Sequence, residues 1–140
     1  MSGRFFLDTN IFVYTFDSSA PAKAARASEL VKHAIKTRAG VVSYQVVQEF
    51  FNIAFKKFSP PMAPDEAYSY FAAPLRPLLK VPFSQSLLFR AVEIRERYDM
   101  SWYDGLILAA AMEGECNILY SEDFQHGRKL AGVKIVNPFI

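Results

Sequence analysis

The stretch Arg4-Phe5-Phe6-Leu7-Asp8-Thr9-Asn10 decides the fold class. An apolar run this short, cut off at once by three polar residues, reads as a buried strand that ends in a polar turn. A second stretch of the same kind lies far along the chain, where Asn117 to Tyr120 runs into Ser121-Glu122-Asp123. Val41-Val42 and Val133 to Val136 are further strand candidates, the last closed by Asn137-Pro138. Leu79 to Phe83 is expected at a sheet edge, because Pro82 cannot donate to a ladder.

Helical periods fill the intervals. Ile11 to Phe16 is apolar and breaks at Asp17-Ser18-Ser19, after which Pro21 opens a helix. Its apolar stripe is Ala24, Ala27, Leu30, Val31, Ala34 and Ile35, with Lys23, Arg26, Lys32 and Lys36 mostly off it. Gly40 ends that unit. Ser43 is placed to cap a helix that runs to about Phe58 on a core face of Val46, Val47, Phe50, Ile53 and Ala54, and Ser59-Pro60-Pro61 stops it. A helix over about Asp65 to Ala73 is expected to break at Pro74 and Pro77. Ser84 to Arg97 is helical by period, with Leu87, Leu88, Ala91, Val92 and Ile94 facing in, and Ser101 to Met112 is a second, very apolar helix. Strands alternating with helices predict a three-layer α/β domain, a mainly parallel central sheet flanked by helices. With no repeat, linker or low-complexity segment, residues 1–140 read as one domain.

Composition narrows the class. Hydrophobic residues make up 51% and aromatics 15% of the 140 residues, which excludes a disordered chain. The aromatic load, 13 Phe among it, is high enough to cover a subunit or partner surface as well as a core. Net charge is only +2, but if four of the 14 acids are drawn into one metal-bound cluster, 16 basic residues face ten acids. A surplus of six suits an anionic polymer such as RNA, although an ordinary solvated surface accounts for it equally. One Cys and two His cannot build a Cys/His zinc cage, and a single Cys cannot close an internal disulfide. The first residues lack the pattern of a signal peptide and no apolar run reaches the ~18 residues of a membrane span, so a soluble cytoplasmic protein is the expectation.

Two acids stand just beyond strands, Asp8 and Asp123, where parallel sheets bind their ligands. Glu49 lies about two turns into its helix and Asp104 in the first turn of another. Carboxylates are the preferred ligands of hard cations such as Mg²⁺ and Mn²⁺, and several held together repel one another unless a cation sits between them. Each acid also has a plain structural reading. Asp8 and Asp123 fit turns, Glu49 fits an exposed helix charge, and Ser101-Trp102-Tyr103-Asp104 fits a capping box. Spacing does not choose between these readings. Asn10 and Ser121 are candidates to hold an outer-shell water.

The ordered set Phe6-Leu7-Asp8-Thr9-Asn10-Ile11, Ser43-Tyr44-Gln45-Val46-Val47-Gln48-Glu49-Phe50, Tyr103-Asp104-Gly105-Leu106-Ile107 and Ser121-Glu122-Asp123-Phe124 resembles PIN-domain proteins, and among them VapC-type toxins of type II toxin–antitoxin systems. The close, Gly132 to Phe139, resembles toxin members too, so the similarity covers essentially the whole chain. By that resemblance Asp8, Glu49, Asp104 and Asp123 fall at the family's acidic positions, which bind Mg²⁺ or Mn²⁺ for hydrolysis of RNA phosphodiester bonds. Asn10 and Ser121 match polar positions near that site. Glu122 adjoins Asp123 and competes with it as the closer ligand, and Asp123 is favoured. The resemblance also implies a homodimer held inactive by a small antitoxin, with Phe51, Phe55 and Phe58 as its candidate contact. A PIN nuclease of RNA maturation without an antitoxin, and a non-catalytic PIN scaffold that binds RNA or protein, remain as alternatives.

Other chemistry finds no support. Neither a Walker nor a dinucleotide glycine pattern occurs, and no Gly-x-Ser-x-Gly elbow. His33 and His126 lack a positioned partner and read as surface residues. Cys116 has no basic neighbour to activate it. Trp102 and Tyr103 could stack on RNA bases near Asp104, with packing at the helix start as the plainer reading.

Overall fold

Phe5, Phe6 and Leu7 are buried along the whole of β1 (Phe5–Leu7), as a strand is only when both faces of its sheet are covered. On one edge β1 pairs in parallel with β2 (Gly40–Ser43), and on the other with β4 (Ile118–Tyr120). β3 (Leu79–Val81) lies outside β2, and β6 (Val133–Val136) lies outside β4, both parallel. β5 (Lys129–Leu130) joins β6 antiparallel, giving the order β3-β2-β1-β4-β6-β5. The computed structural model describes residues 3–140, so Met1 and Ser2 of the expected 1–140 domain lie outside the described residues.

Register brings two strand ends together. Phe5 stands opposite Ile118, and Leu7 opposite Tyr120. The chain therefore leaves β1 and β4 at the same level, and Asp8 N donates to the Tyr120 carbonyl at 3.0 Å. Ser121 N donates in turn to the Val136 carbonyl at 3.1 Å.

The helices are α1 (Thr9–Tyr14), α2 (Pro21–Thr37), α3 (Tyr44–Lys56), α4 (Pro64–Tyr70), a short α5 (Arg76–Leu78), α6 (Gln85–Tyr98) and α7 (Trp102–Glu113). α1 packs on α2 and α3, and α6 packs along α7. Together with the sheet they make the three-layer α/β arrangement expected. Gly40 is required where α2 meets β2, since a Cβ there would lie 2.3 Å from Ala34 Cβ. α7 is buried nearly all round, from Gly105 through Ala111, which explains why Ser101 to Met112 shows so little polar periodicity.

Several expectations change. Thr9 to Tyr14 forms α1 directly after β1, with no intervening turn, because the Asp8 side chain caps the helix by accepting from Thr9 N. The helix breaks at Pro74 as expected, with Ala73 extended before it. Pro77 does not break the path that follows but sits in the first turn of α5, where a proline's missing N–H is tolerated. Ser43 occupies the N-cap position of α3, yet its side chain makes no capping bond and its buried Oγ has no partner. Ile35 and Val92 belong to apolar periods but point outward, 38% and 47% exposed, because each helix offers its sheet or neighbour a narrower face than its apolar stripe. α3 stops at Lys56, and Phe58 folds back onto Phe16 and Phe50.

Candidate active site

Asp8, the residue after β1, is 4% exposed and held on both carboxylate oxygens. Oδ1 accepts from Thr9 N at 2.7 Å and Oδ2 from Ser121 Oγ at 2.7 Å. Ser121, buried at the end of β4, also accepts from Asp123 N at 3.0 Å, so one hydroxyl ties Asp8 to the Asp123 loop. Thr9, in the first turn of α1, donates its hydroxyl to Glu49 Oε1 at 2.7 Å, and Gln45, one turn back on α3, donates to Glu49 Oε2 at 3.1 Å. Asn10 Nδ2 donates to Asp123 Oδ1 at 3.4 Å. Three of the four expected acids, Asp8, Glu49 and Asp123, thus line one cavity of about 320 Å³ with Thr9, Asn10, Asn52 and Ile53.

Asp104, the fourth expected acid, is partly buried and does not line this cavity. Its N–H bonds Ser101 Oγ at 3.2 Å, the capping half of the expected box, and its carboxylate makes no side-chain bond among the described residues. It is near enough for its charge to act on Asp123.

The electrostatics are those of carboxylates held against their preference. Burial pushes the Asp8 pKa up from 3.8 to about 7, against the lowering effect of Ser121 and Thr9, and the charges of Asp123 and Glu49 push the same way. Asp123 is also raised, by burial first and then by Asp104, Glu122 and Glu49. No Lys or Arg lines the cavity. The donors are all oxygen, and Asn10 Oδ1 is buried with no partner beside them. Among the described residues no group of three His, Cys, Asp or Glu side chains stands close enough together to hold a metal ion by itself. Carboxylate and amide oxygens are nevertheless the donor type that a hard ion such as Mg²⁺ takes, with water completing its shell.

The PIN-domain profile matches residues 5–130. This chain belongs to the PIN-domain family. No curated protein sequence matches it at a significant level. Among solved structures, this PIN domain is similar in fold to a chain of a toxin–antitoxin complex from Klebsiella pneumoniae, at 22% identity and TM-score 0.65 over 95% of this chain and 96% of that one. It is similar to a chain of DNA-bound VapBC from Salmonella typhimurium, at 16% identity and TM-score 0.67 over 96% and 97%. It is also similar to VapC20 of Mycobacterium tuberculosis, a sarcin-ricin loop cleaving toxin, at 19% identity and TM-score 0.62 over 86% and 89%.

In this PIN domain Glu122 turns away from the acid cavity. It accepts from the Tyr14 hydroxyl and pairs with Lys23 Nζ at 3.1 Å, and Lys23 lies over the Tyr14 and Phe139 rings. Neither histidine enters the site. His33 stacks on Phe5, and His126 Nδ1 accepts from Asn137 N at 2.9 Å. Cys116 is buried and its thiol is pushed up to about 12, so it stays protonated. Sequence reasoning passed over Thr9 and Gln45, the two residues that orient Glu49. The signal for Gln45 was present, one helical turn before Glu49, but Thr9 becomes legible only once Asp8 is seen to start a helix.

Proposed function

We propose that this PIN domain is a metal-dependent endoribonuclease that hydrolyses RNA phosphodiester bonds and acts as the toxin of a toxin–antitoxin pair. The observation that carries the reading is Asp8. A carboxylate buried beside two others, with no basic side chain to balance it, is a costly arrangement that a bound divalent cation would offset. Asp8, Glu49, Asp104 and Asp123 would hold Mg²⁺ or Mn²⁺. Such an ion lowers the pKa of a water and stabilises charge on an attacked phosphate. The chain supplies the orientation. Ser121 sets Asp8 and the Asp123 loop, Thr9 and Gln45 set Glu49, and Asn10 donates its amide to Asp123.

The toxin assignment rests on likeness to chains of toxin–antitoxin complexes and on apolar surface that a partner could cover. Phe55 on α3 is 47% exposed and stacks on Phe51, whereas Phe58 is taken up by Phe16 and Phe50. The antitoxin contact is therefore narrowed to Phe51 and Phe55. Phe89 and Val92 on α6 offer a second apolar face for a homodimer. Among the described residues no helix is long and apolar enough to cross a membrane, and a cytoplasmic site of action is part of the proposal.

The test is cleavage of a structured RNA pool by partner-free protein with Mg²⁺, Mn²⁺ or EDTA. Cleavage that needs metal and disappears in Asp8→Asn and in Asp104→Asn, with circular dichroism unchanged, is the expected result. Full activity in either variant would overturn the assignment.

A further inference from the structure

The cleft extends beyond the acids. α3 turns Gln45, Gln48, Glu49 and Asn52 to one side, at intervals of three and four residues. Next to the acid cavity lies a second of about 310 Å³, walled by Gln45, Gln48, Glu49, Asn52 and Tyr103, and the two share Glu49 and Asn52. No basic side chain lines it. Three amides beside the Glu49 carboxylate do not suit a phosphate, but each amide offers a donor and an acceptor together, which is the pattern on a nucleobase edge.

The side chains divide the work. Gln45 is committed, donating to Glu49 and, at 3.4 Å, to the Tyr103 carbonyl, and so ties α3 to α7. Gln48 and Asn52 are exposed and their amides are free of hydrogen bonds among the described residues. The Tyr103 ring is 65% exposed and packs against no other ring, leaving a flat face over the pocket. A third cavity, about 230 Å³, shares Gln45, Gln48 and Tyr103 and adds Trp102 and Ser43. Ser43 is 2% exposed, and its buried Oγ has no partner among the described residues.

We propose that the pocket between α3 and Tyr103 binds one unpaired nucleobase of the RNA strand cut at the acid cavity, with Tyr103 stacking on the base and Gln48 and Asn52 reading its edge. The inference rests on the nuclease reading and adds to it the residues that would choose the base beside the cut. A base seated in this pocket has left its helix, so a continuous duplex is refused. Selectivity for one kind of base comes from the two amides, and affinity comes from the ring.

Trp102, the chain's single tryptophan, lies in the wall of the neighbouring cavity, and its fluorescence reports occupancy. The experiment titrates full-length Asp8→Asn protein in Mg²⁺ with short RNAs of varied sequence, single-stranded or annealed. In parallel it maps the cut sites of protein with Asp8 intact. Single strands are expected to quench Trp102 and to bind at least about tenfold more tightly than duplex; Tyr103→Ala weakens them roughly tenfold and Tyr103→Phe does not. In protein with Asp8 intact, Gln48→Ala with Asn52→Ala evens out the base preference at one position beside the cut. Equal binding of duplex, or indifference to Tyr103→Ala with an unchanged cut-site preference, overturns the pocket. If the native chain cleaves and the pocket variants are indifferent, the pocket falls and the nuclease stands. If the native chain cleaves nothing yet single strands bind with the stated variant pattern, the nuclease reading falls and the base pocket stands.

Discussion

Asp8 holds three jobs in one side chain. It caps α1, it accepts from Ser121, and it carries the most perturbed acid of the cavity. Its pKa is higher folded than unfolded, so between the ordinary 3.8 and about 7 the folded chain keeps a proton that the unfolded chain releases. Stability of the metal-free protein should therefore fall as pH rises through that window and level off above it. Asp8→Asn removes the charge and keeps a capping oxygen, so it is expected to stabilise metal-free protein by about 1–3 kcal/mol near pH 8 and to make little difference near pH 4. Urea denaturation at the two pH values checks this, and equal stability of wild type at both would refute the burial argument. Asp8 and Asp123 were legible in the sequence as acids behind strands. The hydroxyl that joins them was visible only as a polar residue, because its partner lies 113 positions away.

At the scale of elements, polar punctuation and the break at Pro74 were read well, and Pro77 was not. The strand ends at Leu7 and Tyr120, the cap at Ser101 and the edge position of β3 all follow from local chemistry. Pro74 was expected to stop a helix and does, with Ala73 extended before it, whereas Pro77, expected to break the pattern too, sits in the first turn of α5. The face of each helix that turns inward was over-read at Ile35 and Val92, since a period names a stripe and the neighbours decide its width. Gly40 looked like a simple terminator. It is a contact point, where α2 and β2 approach too closely for a side chain. Gly40→Ala should cost about 1–3 kcal/mol through overpacking against Ala34, read as a lowered denaturation midpoint with unchanged slope. A neutral result would mean that α2 shifts freely at this point.

For the whole molecule, the acid cavity draws on β1, α1, α3 and the loop after β4, which meet only because parallel register sets the strand ends level. The proposed binding of a divalent ion there would be linked to folding, because the unfolded chain cannot bring Asp8, Glu49 and Asp123 together. Mg²⁺ or Mn²⁺ should raise the melting temperature of the native chain, and the gain should vanish in Asp8→Asn. The same rise in both proteins would place metal binding elsewhere. Because metal competes with the proton on Asp8, the gain should be larger near pH 8 than near pH 5, measured by scanning calorimetry across the two buffers.

The sequence by itself determined the alternation of strands and helices, the apolar strands of a doubly covered sheet and the two acids that follow strand ends. These are properties of local pattern, which chain neighbours encode through period, capping and breakers. Only the tertiary structure decided that Glu122 faces Tyr14 and Lys23 while Asp123 faces the cavity, that Asp104 does not line it, that Thr9 orients Glu49, and that two free amides and a bare tyrosine ring continue the cleft. Each is a contact or a juxtaposition between residues distant in sequence. Its free energy depends on burial and register, which exist only once the sheet has closed.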